Sequence, residues 1–263
     1  MAVCLDNKTF NPQCPPHDKT EAEATLPIPH CIGMSELSSA TAERARVSKI
    51  LQIRRQNSSP KPHSDENDLE FESSALFKHI AYGLAYTTGS ALGNTPPLIE
   101  DCLAAFQVPN SAGLTAGARA WSKHCHRSRP RSTERESCRR STSPVEDQTV
   151  ADSDQGKSTK RQSKKGTKTE GWWGTASGPI PVINEKALAL FWKIMNYATW
   201  RNLHWLPHQV LVYEVRVAEG YGMRWAQDLS QPQSTTEKPW VFRGFLEPQM
   251  ENGHELGWRH VIT

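Results

Sequence analysis

The feature that most constrains this chain is a gap in its apolar content. Residues 128–169 contain no Leu, Ile, Met, Phe, Tyr or Trp. A segment built from Ser, Thr, Arg, Lys and scattered acids cannot bury enough apolar surface to offset an ordering cost of roughly 1–2 kcal/mol per residue. It is expected to be a disordered basic insertion, so any folded domain must be assembled from the chain on either side of it. The same segment accounts for the charge. Residues 129–168 carry a net +5 and the remainder sums to −2, so the overall +3 does not describe a basic folded surface.

Hydrophobic residues make up 37% of the chain, below the roughly 45–50% usual for globular domains. Dilution of a smaller core by unstructured segments explains the deficit. Fibrous, coiled-coil and disulfide-framework architectures are excluded. No run of about 18 apolar residues exists to span a membrane, so no membrane partner is expected. The six cysteines form no CxxC pair, and MAVCLDNKTFNPQC lacks the basic and apolar regions of a secretory signal. Free thiols and an intracellular location, cytoplasmic or nuclear, follow as expectations.

Along the chain, residues 1–70 read as mostly disordered, with one short amphipathic helix over 40–56. Residues 57–68 carry two prolines and several acids and read as a linker. Residues 71–127 form a helical half. ESSALFKHIAYGLAYTTGSAL, PLIEDCLAAFQ and GLTAGARAWSKHCHR are its three helices, broken by GNTPP and VPNSAG. Beyond the insertion, residues 170–263 hold eight of the nine tryptophans. Asn184 is placed to cap a helix over 185–201. HWLPH reads as a loop, because Pro207 forbids a continuous helix there, with one of His204 and His208 buried. QVLVYEVRVAEG, GYGMRWAQD and WVFRGFLEP then alternate as strands. The expected fold class is α+β, with three to four helices packed on a small antiparallel β-meander.

The runs LTAGARAWSKHCHR, GWWG, ATWRNLHWLPH, YEVRVAEGYGMRW and FRGFLEPQMENGHELGWRH resemble blocks of a family of uncharacterised plant and fungal proteins. The resemblance covers roughly residues 71–127 and 170–263. It implies that these blocks form one domain, and it brings no activity, cofactor or catalytic residue.

Candidate chemistry therefore rests on side chains. Alternation puts Leu211, Tyr213, Val215 and Val217 on one face of the first expected strand, and Val210, Val212, Glu214 and Arg216 on the other. Arg224 opposes Met223 and Trp225 in the second. In the third, Val241, Arg243, Phe245 and Glu247 oppose Trp240, Phe242 and Leu246. In matching register, one face would carry Glu214, Arg216, Arg224, Arg243 and Glu247, which suits an anionic small molecule or phosphate ester. Glu214 and Glu247 would then be candidate proton-transfer groups. The bland alternative is a solvated face laced by ion pairs.

His254, in the acid-rich stretch EPQMENGHELGWRH, is a further candidate catalytic residue, though its spacing matches no standard zinc site. Arg119 and Lys123 share a basic helix face that could meet an anion, and Arg201 stands at a helix end. KSTKRQSKKGTK, residues 157–168, could contact nucleic acid electrostatically. No Walker A, GxGxxG, HExxH or GxSxG motif occurs, so no cofactor or metal is named. Two readings stay open: an anion-binding pocket on the Arg/Glu face, or a non-catalytic interaction module using the basic insertion and the Trp-rich surface.

Overall fold

The computed structural model describes residues 26–56, 66–125, 171–230 and 238–249. The basic insertion and His254 lie outside the described residues. The fold is α+β. Six helices are described: α1 (Ala40–Gln56), α2 (Glu66–Ser73), α3 (Ala75–Ala81), α4 (Ile99–Gln107), α5 (Ala116–His124) and α6 (Ile180–Asn196). They precede β1 (Trp200–Leu206), β2 (Val210–Arg216), β3 (Gly222–Asp228) and β4 (Val241–Leu246), an antiparallel sheet in the order β1-β2-β3-β4.

Local chemistry explains the boundaries. The hydroxyls of Ser74 and Thr115 accept from the backbone N–H of Phe77 and Ala118, capping α3 and α5. The helix expected from Glu72 onward stops at Ala81, and Gly83 follows with φ 72°. A prolyl residue in the first turn of α6 starts it earlier than expected. Asn184 is therefore inside that helix, where its carboxamide accepts from Thr115 N–H and donates to the Gly113 carbonyl. The stretch after Tyr197, expected to continue the helix and then loop, is strand β1. His208 and Gln209 turn it into β2 with left-handed φ values of 64° and 58°, the backbone sense that suits the twist of a tight hairpin.

Helices α4, α5 and α6 cover one face of the sheet. Leu203, Leu211, Tyr213, Val215, Met223, Trp225 and Phe245 pack there against Phe106, Trp121, Phe191 and Ile194. Two of the buried indoles anchor the helix layer through their donors: Trp225 Nε1 to the Cys102 carbonyl at 3.0 Å, and Trp121 Nε1 to the Trp173 carbonyl at 2.8 Å. Helices α1 and α3 form a second, smaller core through Val47, Ile50, Phe77 and Ile80.

The far side of the sheet is covered differently. Residues 26–37, expected within a disordered N-terminus, form a strap. The His30 and Ile32 N–H groups donate to the Thr199 and Ala218 carbonyls at 3.0 and 2.9 Å, and the Thr199 hydroxyl donates to the His30 carbonyl at 2.7 Å. Residues 84–91, expected to be helical, instead run along the free edge of β1. Ala85 and Ala91 donate to the Arg201 and Leu203 carbonyls, and Trp205 donates back to Gly89. This seals an edge that would otherwise present unpaired backbone groups.

Packing between α4 and α5 is tight enough to reverse an ordinary rule. Within a helix, Gly to Ala usually stabilises by roughly 0.5–1 kcal/mol. A Cβ on Gly117, however, would sit 2.0 Å from the Phe106 ring, and forced overpacking costs about 1–3 kcal/mol. Gly117→Ala is expected to lower the melting temperature by several degrees in a thermal denaturation. An unchanged or raised value would show that the ring moves aside freely.

Candidate functional site

The site is built on the sheet face turned away from α4–α6. Strand register sets Asn202 opposite Glu214, Glu214 opposite Arg224, and Arg224 opposite Gly244. One step along, His204 lies opposite Val212 and Val212 opposite Ala226. A register shift between Arg224 and Trp225 interrupts the alternation with β4. It lets Phe242 and Phe245 both pack into the helix-side core, contrary to the expectation that these two residues point to opposite faces. Arg243, beside this irregularity, is exposed.

Glu214 and Arg216 are 7% and 5% exposed, so this face is not a solvated one. Arg216 Nε donates to Glu214 Oε1 at 2.5 Å, and its Nη1 donates to the carbonyls of Gly220 at 2.6 Å and Glu247 at 2.9 Å. The guanidinium is thus committed to holding β2, the β2–β3 turn and the chain after β4 together. Gly222 makes room for it, since a Cβ there would meet the Val215 carbonyl at 2.2 Å and the Arg216 stem at 2.7 Å.

Around this pair stand three less committed groups. Arg224 is exposed in the same row. His204 is half-buried, and its Nδ1 is buried without a hydrogen-bond partner among the described residues. Burial pulls the His204 pKa below its ordinary 6.5; the Glu214 carboxylate opposes that shift, while Arg224 and Arg216 add to it. Asn202 is 5% exposed, and its Oδ1 is likewise buried without a partner among the described residues. It lines a cleft of about 390 Å³ whose walls are the strap at Gly33–Leu37, the segment Thr87–Gly89, and Gln249.

The remaining sequence candidates sit elsewhere. The Glu247 carboxylate faces His124 of α5, with Nδ1 to Oε1 at 3.4 Å, and only its backbone carbonyl reaches Arg216. Arg119 and Lys123 are exposed on α5, on the helix side, so the sheet separates them from Glu214. Arg201 donates from Nη2 to the Met195 carbonyl at 3.3 Å, a cation at the C-terminal end of α6. Cys102 and Tyr213 belong to the core, and burial pushes each pKa up to about 12, so neither supplies an anion near neutral pH. Among the described residues, no group of three or more His, Cys, Asp or Glu is arranged to hold a metal ion.

This architecture, a helix layer on one face of a four-stranded meander and a polar row on the other, can be set beside known proteins. A family model described as the CdiA C-terminal tRNase toxin domain matches residues 139–247. The matched stretch is less than half of the 263-residue chain, yet it contains α6 and all four strands, and with them His204, Glu214, Arg216 and Arg224. No curated protein and no solved structure matches the chain. The match to a nuclease domain overturns both sequence readings, the small-molecule anion pocket and the non-catalytic interaction module. The geometry supplies the physical reason for the first correction: Arg216 is consumed by internal acceptors, and Glu247 and Arg243 do not complete an anion cradle with it.

Removing one member of a buried ion pair strands the other, at a cost of roughly 3–5 kcal/mol. Arg216→Ala is expected to destabilise the domain by that amount in urea denaturation. Combining Arg216→Met with Glu214→Gln should recover at least about 1 kcal/mol of it through coupling. Strictly additive losses would mean the two side chains are energetically independent.

Proposed function

We propose that this chain is a ribonuclease acting on RNA of the transfer-RNA class, with its active site on the sheet face that carries His204, Glu214 and Arg224. The observation that carries this reading is a coincidence of position. The stretch similar to a tRNase toxin domain is the one that sets an imidazole, a carboxylate and an exposed guanidinium on one sheet face.

RNA contains its own nucleophile, so a protein can cleave it without a covalent intermediate. A base removes the proton of a ribose 2′-hydroxyl, the 2′-oxygen bonds to the adjacent phosphorus, and the bond from phosphorus to the 5′-oxygen breaks. The leaving oxygen takes a proton from water, giving a 2′,3′-cyclic phosphate and a 5′-hydroxyl. His204 suits the role of base because its burial favours the neutral imidazole near pH 7. Glu214 stabilises the imidazolium that forms. Arg224 is free to pair with the phosphate oxygens as negative charge builds on them. The lysines and arginines of residues 157–168, also inside the matched stretch, add sequence-independent attraction to the RNA backbone that weakens with salt.

The test is cleavage of purified tRNA by the full chain. His204→Ala is expected to lower the rate by about 10²–10⁴-fold, and Arg224→Ala by about 10²–10³-fold, both with unchanged thermal melting. A base must be deprotonated to act. The rate should therefore rise with pH through a pKa below 6.5 and level off above neutrality. No cleavage by the wild-type chain, or equal cleavage by His204→Ala, sinks the reading.

A further inference from the structure

The cleft beside the catalytic row has a lining unlike that of a phosphate site. None of the described residues lining it is Lys, Arg or His. What it offers is acceptors. Asn202 contributes a buried Oδ1 with no partner among the described residues. Glu36 contributes a carboxylate whose Oε1 takes the Arg44 guanidinium at 2.5 Å and the Tyr86 N–H at 2.7 Å. An unpaired amide oxygen in a buried position costs roughly 1–3 kcal/mol, a penalty that a ligand presenting N–H groups would remove. A cleft of about 390 Å³ is within the range that holds small ligands.

Asn202 lies directly across the strand pair from Glu214 and two residues along β1 from His204. A group held in the cleft would therefore adjoin the phosphate being cleaved, where RNA presents a base. Among the four bases, guanine sets two adjacent donors, N1–H and the N2 amine, on its Watson–Crick edge; adenine and cytosine offer an amine beside an acceptor, and uracil offers a single N–H between two carbonyls. We infer that the cleft bounded by Asn202, Glu36, Thr87 and the strap is a guanine-reading subsite that selects the nucleotide at the cleavage position. The inference rests on the ribonuclease reading above and adds the base that the enzyme recognises. Thr87 and Thr88 supply hydroxyls that can donate to the guanine carbonyl, since a hydroxyl both donates and accepts.

Two measurements test it. In the first, the full chain is given GpA, ApA, CpA and UpA. GpA should be cleaved about tenfold or more faster than the others, because a site built to pair a polar edge rejects bases lacking it. Asn202→Ala should bring the four rates to within about twofold of one another. In the second, which needs neither turnover nor a mutant, guanosine should raise the melting temperature of the wild-type chain while adenosine, cytidine and uridine do not. Cleavage of all four dinucleotides at equal rates overturns the guanine subsite and leaves the ribonuclease reading standing. A guanosine-specific shift without any RNA cleavage does the reverse. Equal shifts with all four nucleosides, or none, overturn the subsite.

Discussion

Arg216 is the side chain on which the far side of the sheet depends. Burying a guanidinium costs several kcal/mol unless its donors are met by well-placed acceptors, and here the acceptors come from three separate parts of the chain: the Glu214 carboxylate, the turn carbonyl of Gly220, and the carbonyl of Glu247. None of these can drift without leaving a desolvated charge. The turn between β2 and β3, the exit of the chain from β4 and the position of the Glu214 carboxylate are thus fixed together. Gly222 belongs to the same arrangement, since any side chain there would displace the arginine stem.

The two faces of the sheet are filled in different ways. The helix side is a continuous aromatic and aliphatic core in which Phe106 touches Phe191, Phe242 and Phe245. The opposite side is closed at one end by a strap held mainly through backbone hydrogen bonds and left open beside Asn202. On this second face the Asn202 Oδ1 and His204 Nδ1 are buried without a partner among the described residues.

Much of this was legible in the sequence, and the failures have definite causes. The limits of α1 follow from its apolar spacing and agree with the structure. The alternation in β2 and β3 correctly assigned Glu214, Arg216 and Arg224 to one face. Strand β1 was hidden because both of its faces are buried near its start, so Trp200-Arg-Asn-Leu-His carries no clean polar alternation. Half of the polar row went unseen with it; the signal present was the Asn202/His204 period of two, masked by a preceding helix pattern and a following proline. Residues 26–37 do carry Leu26, Ile28, Ile32, Met34 and Leu37, but Pro27 and Pro29 interrupt them, and the backbone pairing that ties the segment to the sheet leaves no local pattern. In β4, a bulge breaks strict alternation, and no local pattern announced it.

The strap also sets an order of events. His30 is bonded to Thr199, 169 residues later in the chain, so the first described part of the domain to leave the ribosome has no surface to dock on until β1 and β2 have been made. Contacts of such sequence separation require closing a long loop before they return any stability, and they form late. During synthesis the wall formed by Gly33–Leu37 is therefore missing while β1 and β2 are still inside the ribosome, and the cleft over Asn202 comes into being only as the final strands are delivered. Closure of the cleft wall thereby waits on delivery of the segments that carry Thr199 and Ala218, long after the strap itself has been made.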